Sequence, residues 1–151
     1  MTESAVGFGA PSPGRPGCPT GSVRALLRIE GAAAFAGSAA LYGHAGFSWS
    51  LFALFFLAPD LAMLGYLGGQ KAGAATYNLL HTYAGPLILA LAGFLLASPP
   101  ALAAALIWTS HIGLDRALGF GLKYPTGFGD THLGRLRSPS LDLQRQSVDG
   151  G

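Results

Sequence analysis

Four long apolar runs constrain the fold of this chain more than any other sequence feature. They cover residues 24–42, 47–67, 76–97 and 101–118, and short links rich in Gly, Ser and Pro separate them. Each run has roughly the 17–25 residues that a helix needs to cross a bilayer. Only 11% of the chain is charged, whereas soluble domains contain about 25% charged residues. We therefore predict an all-α, polytopic membrane protein with four transmembrane helices in a bundle.

The basic residues predict the orientation of this bundle. The links after the first and third runs contain no Lys or Arg. Basic residues lie before or at the start of the first run, between the second and third, and after the fourth: Arg15, Arg24, Arg28, Lys71, Lys123, Arg135 and Arg137. Because Lys and Arg favour the cytoplasmic side of a membrane, both termini are predicted to be cytoplasmic. The expected location is the inner (plasma) membrane, crossed several times.

The two ends of the chain differ from its centre in composition. Residues 1–22 are rich in Pro and Gly and lack the apolar run of a signal peptide. We predict a disordered leader at 1–22, a membrane domain at 23–136 and a disordered polar tail at 137–151. The net charge of +2 is too small to indicate a nucleic-acid partner, and the one cysteine, Cys18, leaves no disulfide framework and no Cys-based metal site.

Polar residues within the apolar runs lie at one depth. With a rise of about 1.5 Å per residue, Glu30, Asp60, His81 and His111 each lie roughly 7–12 Å inside the cytoplasmic end of their helices. Asp115 is slightly shallower and, four residues after His111, shares its helix face. Because a charge in lipid costs several kcal/mol unless it is paired or faces a polar interior, these side chains are expected to converge.

His and carboxylate side chains without Cys are typical ligands of Zn²⁺ or Mn²⁺. The predicted metal ligands are Asp60, His81, His111 and Asp115, and a metal there would provide a nucleophile for hydrolysis. Two further residues are assigned catalytic or supporting roles: Glu30 as a general base or a partner of a ligand, and Asn78, on the face of His81, to orient a ligand or substrate. Two cations near the membrane surface are candidate phosphate-binding residues: Arg116 and Lys123.

Structural explanations of the same residues remain open. His81 can lie at the interface, Asp115 can pair with Arg116, and Pro59-Asp60 can mark a kinked helix. Asp130-Thr131-His132 is either a turn or a lid that adds ligands. The alternative functions are a non-enzymatic membrane protein that binds protons or ions, and a structural membrane subunit. The residues alone do not decide whether the protein is an enzyme.

Several motifs resemble known families. The stretches Arg28-Ile29-Glu30-Gly31, LFALFFLAPDLAMLGYLGG, YNLLHTYAGP and HIGLDRALGFGLKYPTGFGDTHLG closely resemble the bacterial membrane family named domain of unknown function 4260. The resemblance covers residues 22–136 and implies a small multi-helix membrane protein without an assigned activity.

A more distant resemblance is to inner-membrane metal-dependent hydrolases of the YdjM type. The matching residues, in the same order, are Pro59-Asp60, His81, His111 with Asp115, and Tyr124-Pro125. This resemblance implies a metal-dependent hydrolase that acts on a membrane-proximal ester or phosphoester, such as a lipid. The second acid expected after Pro-Asp and an Arg-Gly-x-Thr-His-Ser motif are both absent from this chain.

Overall fold

The computed structural model describes residues 21–126 and 129–135. The tail predicted at 137–151, and all but the last two residues of the leader predicted at 1–22, lie outside this part of the chain. The described elements are α1 (Ser22–His44), α2 (Trp49–Phe55), a 3₁₀ helix (Ala58–Gly68), α3 (Gln70–Leu80), α4 (Ala84–Leu95), α5 (Pro99–Leu118), β1 (Asp130–Thr131) and β2 (Gly134–Arg135). The predicted all-α class is confirmed, with one short antiparallel hairpin, β1–β2, after the last helix.

The two longest helices, α1 and α5, pack closely along their length. At their crossing, a Cβ atom on Gly113 would lie 2.6 Å from the backbone nitrogen of Phe35 and 2.9 Å from the carbonyl oxygen of Gly31. One helical turn away, the buried hydroxyls of Ser38 and Ser110 lie 2.7 Å apart. Small residues permit this close approach of two helix backbones. The α1–α5 pair therefore forms a continuous framework.

The second and third predicted transmembrane helices are not continuous, which corrects the sequence-based prediction. The run at 47–67 forms α2 and then a 3₁₀ helix, because Pro59 lacks the N–H that an uninterrupted α-helix requires. The run at 76–97 is divided between α3 and α4 by a non-helical break at residues 81–83. The predicted link around Lys71 is helical instead, and Gly69 (φ 100°) makes the turn.

The 3₁₀ helix and α3 form an antiparallel hairpin. The hydroxyl of Thr76 donates a hydrogen bond to the carbonyl oxygen of Ala62 (3.0 Å), and Gly73 lies against the ring of Tyr66. A 3₁₀ helix of 11 residues is unusually long, and such segments often mark functional sites or strained sequence. Because the hairpin turns at Gly69, the start of the 3₁₀ helix and the end of α3 meet at its base.

Much of the surface is apolar. Two helical stretches, Trp49–Gly68 and Gln70–Leu95, are long and apolar enough to cross a membrane, judged by length and composition only. Large apolar side chains are exposed along them, among others Leu54 (71%), Leu67 (89%) and Phe94 (73%). Contiguous apolar surface of this kind marks contact with a membrane or a partner. The predicted four-span topology and the cytoplasmic termini stay predictions.

Candidate metal centre

The interrupted helices and the end of α5 bring four predicted ligands together. Asp60 lies in the first turn of the 3₁₀ helix, His81 directly after α3, and His111 and Asp115 on adjacent turns of α5. One ligand atom from each residue lies within 4.8 Å of the other three. The predicted convergence of these side chains is confirmed; the presence of a metal stays a prediction.

Five of the six distances among these ligand atoms are close to those in a small tetrahedral metal site. The Nε2 atoms of His81 and His111 are 3.2 Å apart. Oδ1 of Asp60 is 3.4 and 3.5 Å from these two nitrogens, and Oδ2 of Asp115 is 3.5 and 3.9 Å from them. Ligand atoms about 2.0–2.1 Å from a tetrahedral Zn²⁺ lie about 3.3–3.4 Å from each other. The group also combines two carboxyl and two imidazole side chains, the donor types that divalent zinc and manganese accept.

Tyr77 orients two of the four ligands. Nδ1 of His81 lies 2.9 Å from the carbonyl oxygen of Tyr77. Because a carbonyl only accepts, Nδ1 carries the proton and Nε2 presents a lone pair to the centre. The hydroxyl of Tyr77 donates to Oδ2 of Asp115 (3.1 Å), and its ring stacks on the imidazole of His81 with centroids 3.7 Å apart. Hydrogen bonds of this kind fix the orientation of metal ligands in known sites.

The four ligands differ in their access to solvent. The side chains of His81 and His111 are 2% and 3% exposed, that of Asp115 is 19% exposed, and that of Asp60 is 38% exposed. The ring of Phe56 lies edge-on to His111, with centroids 5.5 Å apart. The centre is thus closed on the imidazole side and open on the side of Asp60.

The end of α3 is fastened to α5 by two hydrogen bonds. Nε1 of Trp108 donates to the carbonyl oxygen of Leu80 (2.6 Å), and Nη2 of Arg116 donates to that of His81 (3.1 Å). The last carbonyl groups of a helix lack hydrogen-bond partners within the helix. These two bonds therefore provide donors for the carbonyl oxygens at the end of α3. Arg116, predicted to bind a phosphate, therefore also positions His81.

Asn78 ties the segment after α5 to α3. Its Nδ2 donates to the carbonyl oxygen of Lys123 (2.8 Å), and its Oδ1 accepts from the backbone N–H of the same residue (2.7 Å). The Nζ atom of Lys123 consequently lies 4.5 Å from the ring centroid of Tyr77. Burial lowers the pKa of Lys123, and the carboxylates of Asp115 and Asp60 oppose that shift. The predicted phosphate-binding lysine is therefore next to the four ligands.

Comparison with known proteins places this fold in a family. A family model described as "Domain of unknown function (DUF4260)" matches residues 24–136. The chain belongs to this family. Neither the curated proteins nor the solved structures provide a match. These comparisons therefore do not show the likeness to YdjM-type hydrolases.

Two residues considered from the sequence of this DUF4260 member lie outside the four-ligand group. Glu30 is exposed on α1, and no hydrogen bond joins it to the four ligands within the described residues. His132, in the turn of the β1–β2 hairpin, accepts a hydrogen bond at Nδ1 from the backbone N–H of Leu122 (2.8 Å), and Nη1 of Arg116 lies 3.2 Å from both ring nitrogens. Burial first, and then the charge of Arg116, lower the pKa of His132.

Sequence reasoning missed Tyr77 and Trp108 as parts of the site. A signal for Tyr77 was available, because residues four apart share a helix face and Tyr77 is four residues before His81. For Trp108 no local signal exists, since its partner Leu80 is 28 positions away in the sequence.

Proposed function

We propose that this protein is a multi-pass protein of the plasma membrane that binds one divalent cation, zinc or manganese, and hydrolyses a membrane-proximal ester or phosphoester. The observation that carries the proposal is the convergence of one ligand atom each from Asp60, His81, His111 and Asp115 within 4.8 Å of one another. The distant motif likeness to YdjM-type hydrolases supports the same chemistry. The exposed apolar stretches support the membrane location.

The ligands have different roles in this proposal. His81 and His111 are buried, Asp115 is less exposed than Asp60, and Tyr77 orients His81 and Asp115, so these three hold the cation. A bound divalent cation would lower the pKa of a water molecule and make it a nucleophile at neutral pH. Three protein ligands are typical of catalytic zinc sites, whereas closed sets of four are typical of structural ones.

Asp60, the fourth member of the group, meets incoming water and substrate and acts as the general base. Its carboxylate is the most exposed of the four, and both imidazole Nε2 atoms lie within 3.5 Å of its Oδ1. At this position it can accept the proton of the attacking water. Lys123, beside the ring of Tyr77, and Arg116, bonded to the carbonyl oxygen of His81, would attract an anionic ester group.

The first test compares Asp115→Asn with the wild type in metal content and thermal stability. The purified wild type should contain about one equivalent of zinc or manganese, and a chelator should lower its melting temperature, because a cation bound only to the folded state stabilises it. The Asn variant should lose most of the metal and the response to chelator, since a neutral amide is a poor ligand. Glu30→Gln is the matched control, and it should keep its metal.

If the chelator leaves the wild-type melting temperature unchanged and Asp115→Asn is simply less stable, Asp115 is structural and the hydrolase proposal is wrong. Removing one partner of a buried charged group costs roughly 3–5 kcal/mol whether or not metal is present.

A second test separates binding of the metal from chemistry. Asp60→Asn should retain much of the metal, because three ligands remain, and should lose hydrolysis of a p-nitrophenyl ester or phosphodiester probe. Loss of both properties would assign Asp60 to the ligand set alone.

Proton or ion binding without hydrolysis is the alternative function. It is favoured by the 3.2 Å separation of the two imidazole Nε2 atoms, a distance at which one proton can be shared between His81 and His111. A pH-gradient flux assay in liposomes tests it. Flux that persists in chelator and disappears in His111→Gln, but not in His44→Gln, would favour this alternative over the hydrolase.

A further inference from the structure

An apolar cavity of about 430 Å³ lies beside the four-ligand centre. One wall follows α5, where Pro100, Ala103, Ala104, Ile107 and Trp108 line it, and α2 and α4 contribute other residues such as Leu89. The wall on α5 runs roughly 12 Å along the helix axis, at about 1.5 Å per residue. The cavity is therefore elongated parallel to α5.

The cavity presents no free hydrogen-bonding side chain. Tyr42 and Trp108 are the lining residues with polar groups, and both groups are used elsewhere. The hydroxyl of Tyr42 donates to the carbonyl oxygen of Ser48 (2.7 Å), and Nε1 of Trp108 donates to that of Leu80 (2.6 Å). Because burying a polar group without a partner is costly, this surface selects a hydrocarbon ligand.

One end of the cavity adjoins the metal ligands. Its lining residues Pro59 and Leu80 directly precede Asp60 and His81 in the chain, and Ile107 is one helical turn before His111. From this end the cavity extends along α5 away from the centre, toward Pro100.

The mouth of the cavity opens on apolar surface. Leu51 and Phe55 line the cavity and are themselves 49% and 51% exposed. In a bilayer this surface would contact lipid, so a hydrocarbon chain can enter from the side without crossing water. Lys123 does not line the cavity but lies close to the centre, with its Nζ 4.5 Å from the ring of Tyr77, whose hydroxyl donates to Asp115.

We propose that this cavity binds one hydrocarbon chain of a lipid, with the ester or phosphoester group of that lipid at the four-ligand centre. The identification of the lipid as a substrate rests on the proposed function. The chain extends from the centre toward Pro100, and the anionic head faces Lys123. This is the orientation of a lipid in the leaflet nearest the centre, so the substrate needs no reorientation to bind.

The proposal is tested by photolabelling the full chain in nanodiscs with palmitate that carries a diazirine in the middle of its chain. Labelled residues are mapped by mass spectrometry, with and without excess unlabelled palmitate. Labelling of cavity residues such as Leu89 and Ala104 should fall several-fold with competitor, whereas labelling of lipid-facing residues near Ala36 on α1 should not change. Equal labelling of both regions, unaffected by competitor, overturns the proposal.

A matched pair of variants tests the same cavity by its volume. Ala104→Leu adds a branched side chain inside it and should lower the competed labelling several-fold. Ala36→Leu makes the same change on an exposed part of α1 and should leave it unchanged. Metal content equal to that of the wild type shows that each variant is folded. If the two variants label alike, the cavity does not bind the chain.

Repeating the labelling in chelator separates this inference from the proposed function. Competed labelling together with bound metal supports both. Competed labelling of a protein that binds no metal overturns the hydrolase and the substrate assignment, while the chain site itself stands. Bound metal without competed labelling overturns only the chain site.

Discussion

The α1–α5 pair and the segment from α2 to α4 contribute equally to the candidate site, but they are built differently. The pair consists of two continuous helices that cross where Gly31 meets Gly113. The segment is interrupted three times, at residues 56–57, at Gly69 and at 81–83. The pair provides His111 and Asp115, and the interrupted segment provides Asp60 and His81.

This difference indicates which part is preformed. A helix satisfies its own backbone hydrogen bonds, so α5 by itself fixes the backbone positions of His111 and Asp115, and Tyr77 of α3 then orients the carboxylate of Asp115. In the interrupted segment, the carbonyl oxygens of Leu80 and His81 accept hydrogen bonds from side chains of α5, namely Trp108 and Arg116. A cation that joins the two halves would therefore stabilise chiefly the interrupted one.

Gly113→Ala should have the largest effect, because it acts on the continuous pair. The added Cβ would lie within 3 Å of three backbone atoms of α1, so the helices must separate, at a cost of about 3 kcal/mol. Gly37→Ala is the control: nothing lies within 4 Å of its Cβ, and a gain of about 0.5–1 kcal/mol is expected. Thermal unfolding in detergent measures both. Equal melting temperatures for the two variants would refute the close crossing.

Removal of metal should act next most strongly, and on the other region. A chelator should cost about 2.7 kcal/mol if free metal was at about 100 times its Kd. Hydrogen exchange should accelerate in the 3₁₀ helix and α3 and should stay slow in α1 and α5. Uniform acceleration across all helices would show that the two regions do not differ in this way.

Asn78→Ala should have a smaller effect, confined to the contact between α3 and the segment after α5. It removes two hydrogen bonds to the backbone of Lys123, together worth about 2 kcal/mol. Asn78→Asp keeps the acceptor for the N–H of Lys123 and should recover part of the loss. Melting temperatures of both variants, measured at equal metal content, provide the test. A destabilised Asp variant and an unchanged Ala variant would contradict it.

His132→Asn should give the smallest effect, visible only as a change in pH dependence. Because the pKa of His132 is lowered in the folded protein, the unfolded chain binds more protons below the ordinary pKa of about 6.5. Stability from this residue is therefore complete above that pH and is lost as the pH falls toward the folded-state pKa.

Asn keeps an acceptor for the N–H of Leu122 and does not titrate. The melting temperature of His132→Asn should thus fall less steeply than that of the wild type from roughly pH 7.5 to about pH 5. Parallel curves would show that His132 titrates alike in both states.

The convergence of the four ligands could be predicted from sequence, because the depth of a residue in a membrane helix follows from its position in an apolar run. His111 and Asp115 also share a face by simple periodicity. The interruptions could not be predicted in the same way. Hydropathy measures how apolar a run is, but it contains no information on the local backbone hydrogen bonding that decides where a helix ends. Pro59 is a visible sign of the first interruption, and a kink within one helix is among the explanations that the sequence leaves open.

The hydrogen-bond partners of Asn78 and Arg116 also could not be predicted from the sequence. Asn78 binds a backbone 45 positions later, and Arg116 binds one 35 positions earlier. Each side chain could equally face a ligand, a lipid or a backbone, and only the folded arrangement of α3 beside α5 decides between these.

The hairpin of the 3₁₀ helix and α3 has both of its ligands at its base, since Asp60 and His81 begin and end it. A cation bound by Asp60 and His81 would link the two ends of this hairpin. The geometry of the ligands would then not depend on the number of residues between them. The tip at Gly69, where a Cβ would meet nothing within 4 Å, is thus the place where added residues would disturb the centre least. An epitope or a spectroscopic label inserted there would report on the chain while the four-ligand group at the base stays intact.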